Sequence, residues 1–381
     1  SVMPIQRAKP RFTEVKNVTN ITADKLNIGQ IGGRRNIIIN GAMQVAQRGT
    51  SVTGVTSGGY KTCDRWTVSN TSQGTWTISQ SSTAPSDFAN SLKFDCTTAD
   101  GTTNASDQLG VDTRIEAKDL IQLNYGTSSA KTITLSFHVR SNKTGTYTFE
   151  AYAQDPNRGF SKTYTIDSAD TWEKKEIIIP GDTSASTNFN DDAEIGIIFK
   201  WWLAAGSTFT GGTYTDNVWR ANTNANRVSS SNVNLADSTD NEWYITGVQL
   251  EVGEQATPFE HRSFAEELAL CHRYYQEFNY DTHGYYVTNG GASSASQSKY
   301  LYTYYGGEMR ATASITTPSV SNGYRFLGSG NDHSHSTIPN IDNPSRLSVQ
   351  FGNNQNTITA GNSFRLLLNA SGAKIKFDAE L

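Results

Sequence analysis

Apolar and polar residues alternate along the middle of the chain with the two-residue period of a β-strand. In residues 132 to 139 one side of the alternation is polar, and the other consists of Ile133, Leu135, Phe137 and Val139. Residues 146 to 152 repeat the pattern with Tyr147, Phe149 and Ala151. Because residues 142 to 145 have turn-forming side chains, the two strands are predicted to form a hairpin with one buried and one solvated face.

Further candidate strands are separated by clusters of Gly, Ser, Thr and Asp, which favour turns. Before residue 263 they are residues 36 to 40, 65 to 69, 76 to 79, 92 to 94, 172 to 179, 194 to 202 and 243 to 250. After residue 278 they are residues 285 to 287, 300 to 305, 313 to 316, 325 to 327, 346 to 351 and 364 to 368, with a long polar loop expected at 289 to 297. So many short strands predict an all-β fold, and the first group predicts a jelly-roll β-sandwich. No short repeat indicates a parallel β-helix.

The last strand of the first group contains a change of phase. Trp243 and Ile245 fall on one face of the strand, whereas Val248 and Leu250 fall on the other. Gly247 lies between the two pairs, where a β-bulge is predicted.

A helix is predicted to follow from Ser263, which has the spacing of a capping box with Glu266. Its apolar stripe would consist of Phe264, Leu268, Cys271 and Tyr275. We therefore expect four segments: an extended N-terminal docking arm (1–35), a jelly roll (36–262), a short helical linker (263–278) and a second β-rich domain at the tip (279–381).

The charge of the chain provides no general attraction for nucleic acid or for an anionic membrane, since the formal net charge of the 381 residues is −4. Only the arm is locally basic, through Arg7, Lys9, Arg11 and Lys16. We interpret it as a solvated or subunit-docking tail rather than a nucleic-acid arm. Its apolar residues at 15, 18 and 21 recur every third position, which favours either an intertwined trimeric stem or an extended strap over a neighbouring subunit.

The chain has neither an apolar run long enough to span a bilayer nor a signal-peptide core, so we expect a soluble protein made in the cytosol. Cys63, Cys96 and Cys271 lack the spacing of a disulfide framework or a metal site. Free, buried thiols are expected, and a bridge between Cys63 and Cys96 is the alternative.

Four motifs along the chain can be compared with known sequences. The first consists of Asn-Ile-Ile-Ile-Asn-Gly-Ala-Met-Gln-Val-Ala-Gln-Arg-Gly-Thr at 36 to 50, followed by Cys-Asp-Arg-Trp at 63 to 66, and it resembles the opening of phage tail-fibre proteins. Trp-Tyr-Ile-Thr-Gly-Val-Gln-Leu-Glu at 243 to 251, with Ala-Thr-Pro-Phe-Glu-His-Arg at 256 to 262, is similar to the closing strand of the carbohydrate-binding jelly rolls within them. Leu-Ala-Leu-Cys-His-Arg-Tyr-Tyr at 268 to 275 and Glu-Met-Arg-Ala-Thr at 308 to 312 resemble the linker and the start of a tip domain.

The resemblance implies a homotrimeric virion tail-fibre protein, assembled in the host cytoplasm and joined to tail or adaptor proteins through residues 1–35. It also implies attachment to the host by non-covalent binding of surface polysaccharide, without a cofactor, nucleic acid or membrane insertion. Two alternatives remain open: a structural fibre or spacer without receptor binding, and a tailspike that degrades the polysaccharide.

Sugars stack their C–H faces on aromatic rings, so aromatic residues near loops are the candidate carbohydrate-binding groups. Adjacent Trp201 and Trp202 must point to opposite faces of a strand, so one of them is expected to lie in the core. The candidates are Trp219 and Tyr214 in a polar run, Trp202, and the two tyrosines Tyr302 and Tyr304 that share one strand face. The alternatives are that Trp219 covers the end of the sandwich and that the tyrosines pack in the core or at a subunit interface.

Signals for metal binding and for catalysis are weak or missing. His333 and His335 could contribute to a metal site on a threefold axis, and Asp191, Asp192 and Glu194 could bind calcium, but solvated loops and acidic turns are commoner, so no metal is predicted. No nucleophile elbow, zinc signature or nucleotide-binding loop is present. We therefore predict that the protein is not an enzyme.

Overall fold

The computed structural model describes residues 34–184, 189–283, 286–294, 297–304, 307–328, 331–353 and 363–381. Residues 1–33, which form nearly all of the predicted arm, lie outside this part of the chain, as does Tyr305. The four short helices are α1 (Ala117–Leu120), α2 (Ser207–Thr210), α3 (Phe264–His272) and α4 (Tyr280–His283). In the described part of the chain, all other regular structure except three single-turn 3₁₀ helices is antiparallel β-sheet, so the predicted all-β class is confirmed.

The N-terminal strands build one strongly curled sheet. They are β1 (Ser51–Tyr60), β2 (Trp66–Ser81), β3 (Ser91–Thr98), β4 (Gln108–Glu116), β5 (Ile133–Ser141), β6 (Gly145–Ala153), β7 (Arg158–Ile166), β8 (Glu173–Ile179), β9 (Ile195–Ala205), β10 (Val218–Ala221) and β11 (Glu242–Val252). Their order is β10-β7-β6-β9-β4-β2-β3-β11-β5-β8, and β1 pairs with β2.

Strand β2 divides this sheet into two layers. Its residues 66 to 71 pair with β4, whereas residues 75 to 81 pair with β3. Between the two halves, Ser72 and Gly74 have positive φ angles, which bend the strand. The front layer contains β10, β7, β6, β9 and β4, and the back layer contains β3, β11, β5 and β8. The ring centroids of Phe137 on β5 and Tyr164 on β7 are 5.3 Å apart. The layers therefore pack face to face and form the predicted jelly-roll sandwich.

The predicted hairpin of β5 and β6 is wrong. Strand β5 pairs with β11 and β8 in the back layer, whereas β6 pairs with β7 and β9 in the front layer. The turn at residues 142 to 144 therefore crosses from one layer to the other. Because both strands bury their predicted apolar face in the same core, alternation alone does not reveal which partner each strand takes.

The predicted bulge in β11 is confirmed, but its consequence differs from the expectation. The register with β5 shifts between Thr246 and Gln249, and Gly247 has a φ of +61°. The additional residue returns Val248 and Leu250 to the face that carries Trp243 and Ile245, so that all four side chains are buried in one core.

Residues 36 to 40 do not form the predicted strand, because two asparagine side chains replace a β-ladder. Asn36 Oδ1 accepts hydrogen bonds from the amides of Ile38 and Leu250, both at 3.0 Å. Asn40 Nδ2 donates to the carbonyl groups of Val45 and Asp64.

The predicted helix is present as α3 and has the complete capping box between Ser263 and Glu266. It is shorter than expected, and its apolar stripe is wrong at both ends. Phe264 is 57% exposed, and Tyr275 lies beyond the helix in a buried strand. Cys271 is buried and free, as are Cys63 and Cys96, so the predicted free thiols are confirmed.

The C-terminal strands form two smaller sheets. They are β12 (Tyr275–Asn279), β13 (Tyr286–Ser294), β14 (Gln297–Thr303), β15 (Ser314–Thr316), β16 (Tyr324–Gly328), β17 (Asn331–His335), β18 (Asn340–Asp342), β19 (Ser348–Asn353), β20 (Ser363–Leu368) and β21 (Lys374–Asp378). Their orders are β12-β21-β15 and β17-β16-β20-β13-β14-β19-β18. Most of the predicted polar loop at 289 to 297 is strand, because β13 continues through its Gly and Ser residues and pairs with β14.

Two arginines of the sandwich hold the C-terminal part of the chain. The Arg65 guanidinium lies 3.4 Å from the centre of the Tyr274 ring and pairs with Glu380. The Arg48 guanidinium lies 3.6 Å from the centre of the Tyr275 ring and 3.3 Å from Glu380 Oε1. Both tyrosines and both arginine–tyrosine contacts are therefore part of a buried junction.

A carboxylate of the sandwich completes this junction. Glu116, at the end of β4, is buried and accepts hydrogen bonds from Arg273 Nε at 2.6 Å and Nη2 at 2.7 Å. The Tyr274 hydroxyl donates to the same carboxylate. Against the effect of burial, these hydrogen bonds lower the pKa of Glu116, so the carboxylate is charged at neutral pH.

No helix among the described residues is long and apolar enough to cross a membrane.

Candidate functional site

Trp202, one of the predicted sugar-binding residues, is fully buried although it lies on the outer side of the front layer. Phe209 and Val228, which lie in the segments before and after β10, pack over the indole on this side. The indole Nε1 donates to Glu150 Oε2 at 3.0 Å, and Arg227 forms two further hydrogen bonds with this carboxylate. One tryptophan of the Trp201–Trp202 pair was expected in the core, and in the structure both are buried, because other segments of the chain cover the outer face.

The two candidates in the polar run also have structural contacts. Trp219 lies in β10, where its indole Nε1 donates to the Pro180 carbonyl oxygen at 2.7 Å. Its ring packs against Tyr125 and Phe160 and is 9% exposed, so it covers an edge of the sandwich. Tyr214 is partly exposed, and its hydroxyl donates to Asp216 at 3.0 Å.

Tyr302 and Tyr304 belong to the core of the C-terminal sheets. The Tyr302 ring stacks on Phe377 with 5.1 Å between centroids, and Tyr304 meets the same phenylalanine edge-on. Both side chains are buried, so neither ring offers a face to a sugar in this conformation. Of the five predicted residues, Tyr214 alone is partly exposed.

Trp172 differs from the other tryptophans in its exposure. All seven tryptophans lie in the described part of the chain, and six of them are buried, whereas Trp172 is partly exposed. It directly precedes β8 at the edge of the back layer, within the charged sequence Asp-Thr-Trp-Glu-Lys-Lys-Glu. Trp172 was predicted to lie in a strand, and its exposure was missed. The charged residues on either side of it are the signal that indicates an exposed position.

Trp172 ends a row of side chains across the outer side of the back layer. The row consists of Lys93 on β3, Tyr244 on β11 and Arg140 on β5, which are direct neighbours in the strand register. The Trp172 and Tyr244 rings meet edge to face with 6.1 Å between centroids. The Arg140 guanidinium lies 5.0 Å from the centre of the Tyr244 ring, and the Lys93 ammonium lies 5.5 Å from it on another strand.

Carboxylates hold the polar groups of this row in place. Glu242 accepts hydrogen bonds from Lys93 Nζ at 2.5 Å and from the Tyr244 hydroxyl at 2.6 Å. Arg140 Nη2 donates to the Asp170 carboxylate at 2.9 Å, and Arg140 Nε donates to the backbone carbonyl oxygen of Asp170, also at 2.9 Å. We call Lys93, Arg140, Trp172, Glu242 and Tyr244 the Trp172 surface.

The ionisation of the Trp172 surface follows from these contacts. Against the opposing effect of burial, the hydrogen bonds from Lys93 and Tyr244 lower the pKa of Glu242. Burial and the hydrogen bond to Glu242 raise the pKa of Tyr244. At neutral pH the surface therefore contains a charged carboxylate, a neutral phenol and two cations beside an aromatic ring.

This arrangement has the chemical groups needed to bind a sugar. An indole attracts the C–H face of a pyranose, and charged donors and acceptors form strong hydrogen bonds with hydroxyl groups. Because these groups lie on three paired strands and directly before a fourth, little conformational entropy is lost when a ligand orders them.

The suggested metal ligands lie in two regions of the chain and do not form a metal-binding group in the described structure. His333 and His335 lie in β17 opposite Phe326 and Tyr324. Asp192 accepts a hydrogen bond from the Glu194 amide, and the Glu194 carboxylate pairs with Arg310 at 3.3 Å. Within the described residues, no group of three or more His, Cys, Asp or Glu side chains could hold a metal ion.

No known protein family matches the sequence, and no curated protein is similar to it. Similar solved structures include the enzymatically active domain of bacteriophage CBA120 tailspike protein 4, with 12% identity and a TM-score of 0.30. The match covers 57% of this chain and 21% of that chain, so it spans about a fifth of the length of that domain.

Two carbohydrate-binding modules are also similar. The CBM22-2 xylan-binding domain of Paenibacillus barcinonensis has 15% identity and a TM-score of 0.27, over 50% of this chain and 92% of that chain. The family 11 module of Clostridium thermocellum, in complex with a mixed-linked tetrasaccharide, has 11% identity and a TM-score of 0.26, over 56% and 98%. None of these similarities identifies a ligand of this chain.

Proposed function

We propose that this chain is a phage tail-fibre protein that attaches the virion to its host by binding a surface polysaccharide non-covalently. The observation that carries the proposal is the Trp172 surface, where a partly exposed indole stands beside charged hydrogen-bonding groups on a rigid sheet. The four sequence motifs that resemble tail-fibre proteins support the virion role.

In this proposal the protein binds its polysaccharide and does not degrade it. Attachment is multivalent, because a homotrimer presents three Trp172 surfaces and a virion carries several fibres. Weak single sites then give strong overall attachment through their high effective concentration.

The experiment compares the full chain with Trp172→Ala in binding to intact host cells and to their extracted polysaccharide. We expect the variant to bind at least about tenfold more weakly, which corresponds to about 1.4 kcal/mol, because the stacking face is lost. Ile178→Ala is the matched control, since Ile178 is 49% exposed on the outer side of β8, which Trp172 directly precedes, but it lies outside the Trp172 surface.

Each alternative predicts a different result in this experiment. Release of reducing sugar ends by the wild-type protein would identify a polysaccharide-degrading tailspike. Failure of the wild-type protein to bind cells or polysaccharide would favour a structural fibre. Equal binding by wild type and Trp172→Ala would place recognition elsewhere on the chain.

A further inference from the structure

We infer that the Trp172 surface selects neutral polysaccharides over acidic ones. This inference rests on the proposed function, and it adds the chemical class of the ligand. It follows from the way in which charges are paired on the outer side of the back layer.

Each cation on this side is already paired with a carboxylate. Lys93 Nζ lies 2.5 Å from Glu242 Oε1 and 3.3 Å from Asp95 Oδ1. Arg140 pairs with Asp170 at 2.9 Å. In the next row of side chains, Lys174 pairs with Glu176 at 2.8 Å. These ion pairs thus contain three cations and four carboxylates.

The neighbouring imidazole adds no positive charge. Burial and the nearby Lys174 ammonium lower the pKa of His138, against a weaker effect of Asp87 in the opposite direction, so the ring is neutral at pH 7. The potential over Trp172 is therefore slightly negative, and it disfavours an approaching anion.

An acidic sugar would also have to break an existing ion pair. Its carboxylate could gain a cation only by displacing Glu242 from Lys93 or Asp170 from Arg140, and the displaced carboxylate would then repel it. A neutral sugar can stack on Trp172 while its hydroxyl groups donate to Glu242 and Asp170 and accept from Lys93 and Arg140. None of these contacts requires an ion pair to open.

The test is an array of bacterial surface polysaccharides of known composition, neutral and acidic, probed with the full wild-type chain and with Trp172→Ala. We expect neutral polymers to bind, with an affinity that is unchanged between 0.05 and 0.5 M NaCl, roughly a threefold change in screening length. We also expect acidic polymers with a related backbone to bind at least about tenfold more weakly, a difference of about 1.4 kcal/mol.

Glu242→Gln provides a second readout, because it removes one carboxylate and leaves Asp95 as the remaining carboxylate partner of Lys93, while the size of the side chain is kept. Acidic polymers should bind this variant more strongly than wild type. No such gain, or a wild-type preference for acidic polymers that weakens with salt, would overturn the charge inference while leaving polysaccharide binding intact. Binding to no polymer, or equal binding by Trp172→Ala, would instead overturn the proposed function at this site.

Discussion

Lys200 is buried although its side chain lies on the outer face of the front layer. It lies on β9 with its Nζ 3.7 Å from the centre of the Trp202 ring, and it donates to Gln108 at 2.8 Å. Burial lowers the pKa of Lys200 from 10.5 to about 8, against the opposing effect of Asp112. The folded state therefore holds the proton of Lys200 less tightly than the unfolded state does.

This difference predicts a pH-dependent stability. Between pH 8 and 10.5 the unfolded chain binds more protons at Lys200 than the folded chain, so the wild-type protein gains stability as the pH rises. Relative to Lys200→Met, which cannot titrate, the gain should reach up to about 3 kcal/mol between pH 7 and 10.5. Urea unfolding of both proteins across this range measures it. A difference that stays constant with pH would show that Lys200 titrates normally when folded.

At the scale of single elements, the bulge of β11 depends on Gly247. Its φ of +61° disfavours other residues, and a Cβ atom there would lie 2.5 Å from Phe88 Cζ and 2.8 Å from His138 Nδ1. The glycine thus allows the aromatic rings of Phe88 and His138 to pack over the strand, 5.3 Å apart.

We therefore expect Gly247→Ala to destabilise the protein more than an equivalent change at an open position. Gly54→Ala is the control, because Gly54 has a similar φ of +69° but nothing within 4 Å of the added methyl group. The steric contact should cost Gly247→Ala about 1–3 kcal/mol beyond the control in urea unfolding. Equal destabilisation by both variants would mean that Phe88 and His138 move away without loss.

Among the structural elements, some features were predicted from the sequence and others were not. The alternation in β5 and β6, the bulge at Gly247 and the cap at Ser263 each arise from residues close together in the chain, and each was predicted. The pairing of β5 with β11 and β8 was missed, because each strand presents the same apolar face to any partner. The end of α3 was missed as well, since burial of Tyr275 depends on Arg48, which is distant in sequence.

At the scale of the whole molecule, the buried junction couples the sandwich to the C-terminal sheets. We expect one calorimetric unfolding transition for the wild-type protein and two for the double variant Arg65→Met/Glu116→Gln. Breaking buried ion pairs one partner at a time costs about 3–5 kcal/mol each, because the remaining charge is left unpaired.

The control for this experiment is Arg346→Met, since Arg346 and Glu308 form an exposed ion pair in which the side chains are 42% and 50% exposed. It should preserve the single transition. Two transitions in the wild-type protein would show that the two parts already unfold independently.

The proposed trimer is a second prediction at this scale. Light scattering of the purified protein should give a mass close to three times that of the 41.7 kDa chain. A mass near that of one chain would contradict a trimer formed by these residues alone, and a second measurement in the presence of tail proteins would then test whether assembly needs them.

Neighbouring residues and composition were enough to predict the all-β class, the positions of strands such as β5, β6 and β9, and the capping box. The exposure of the aromatic rings depended on the tertiary structure. Trp202 and Trp219 were both candidates for an exposed ring but are covered by other segments of the chain, whereas Trp172 remains partly exposed at the edge of a sheet. Burial depends on what the rest of the chain places over a residue, and no local pattern contains that information.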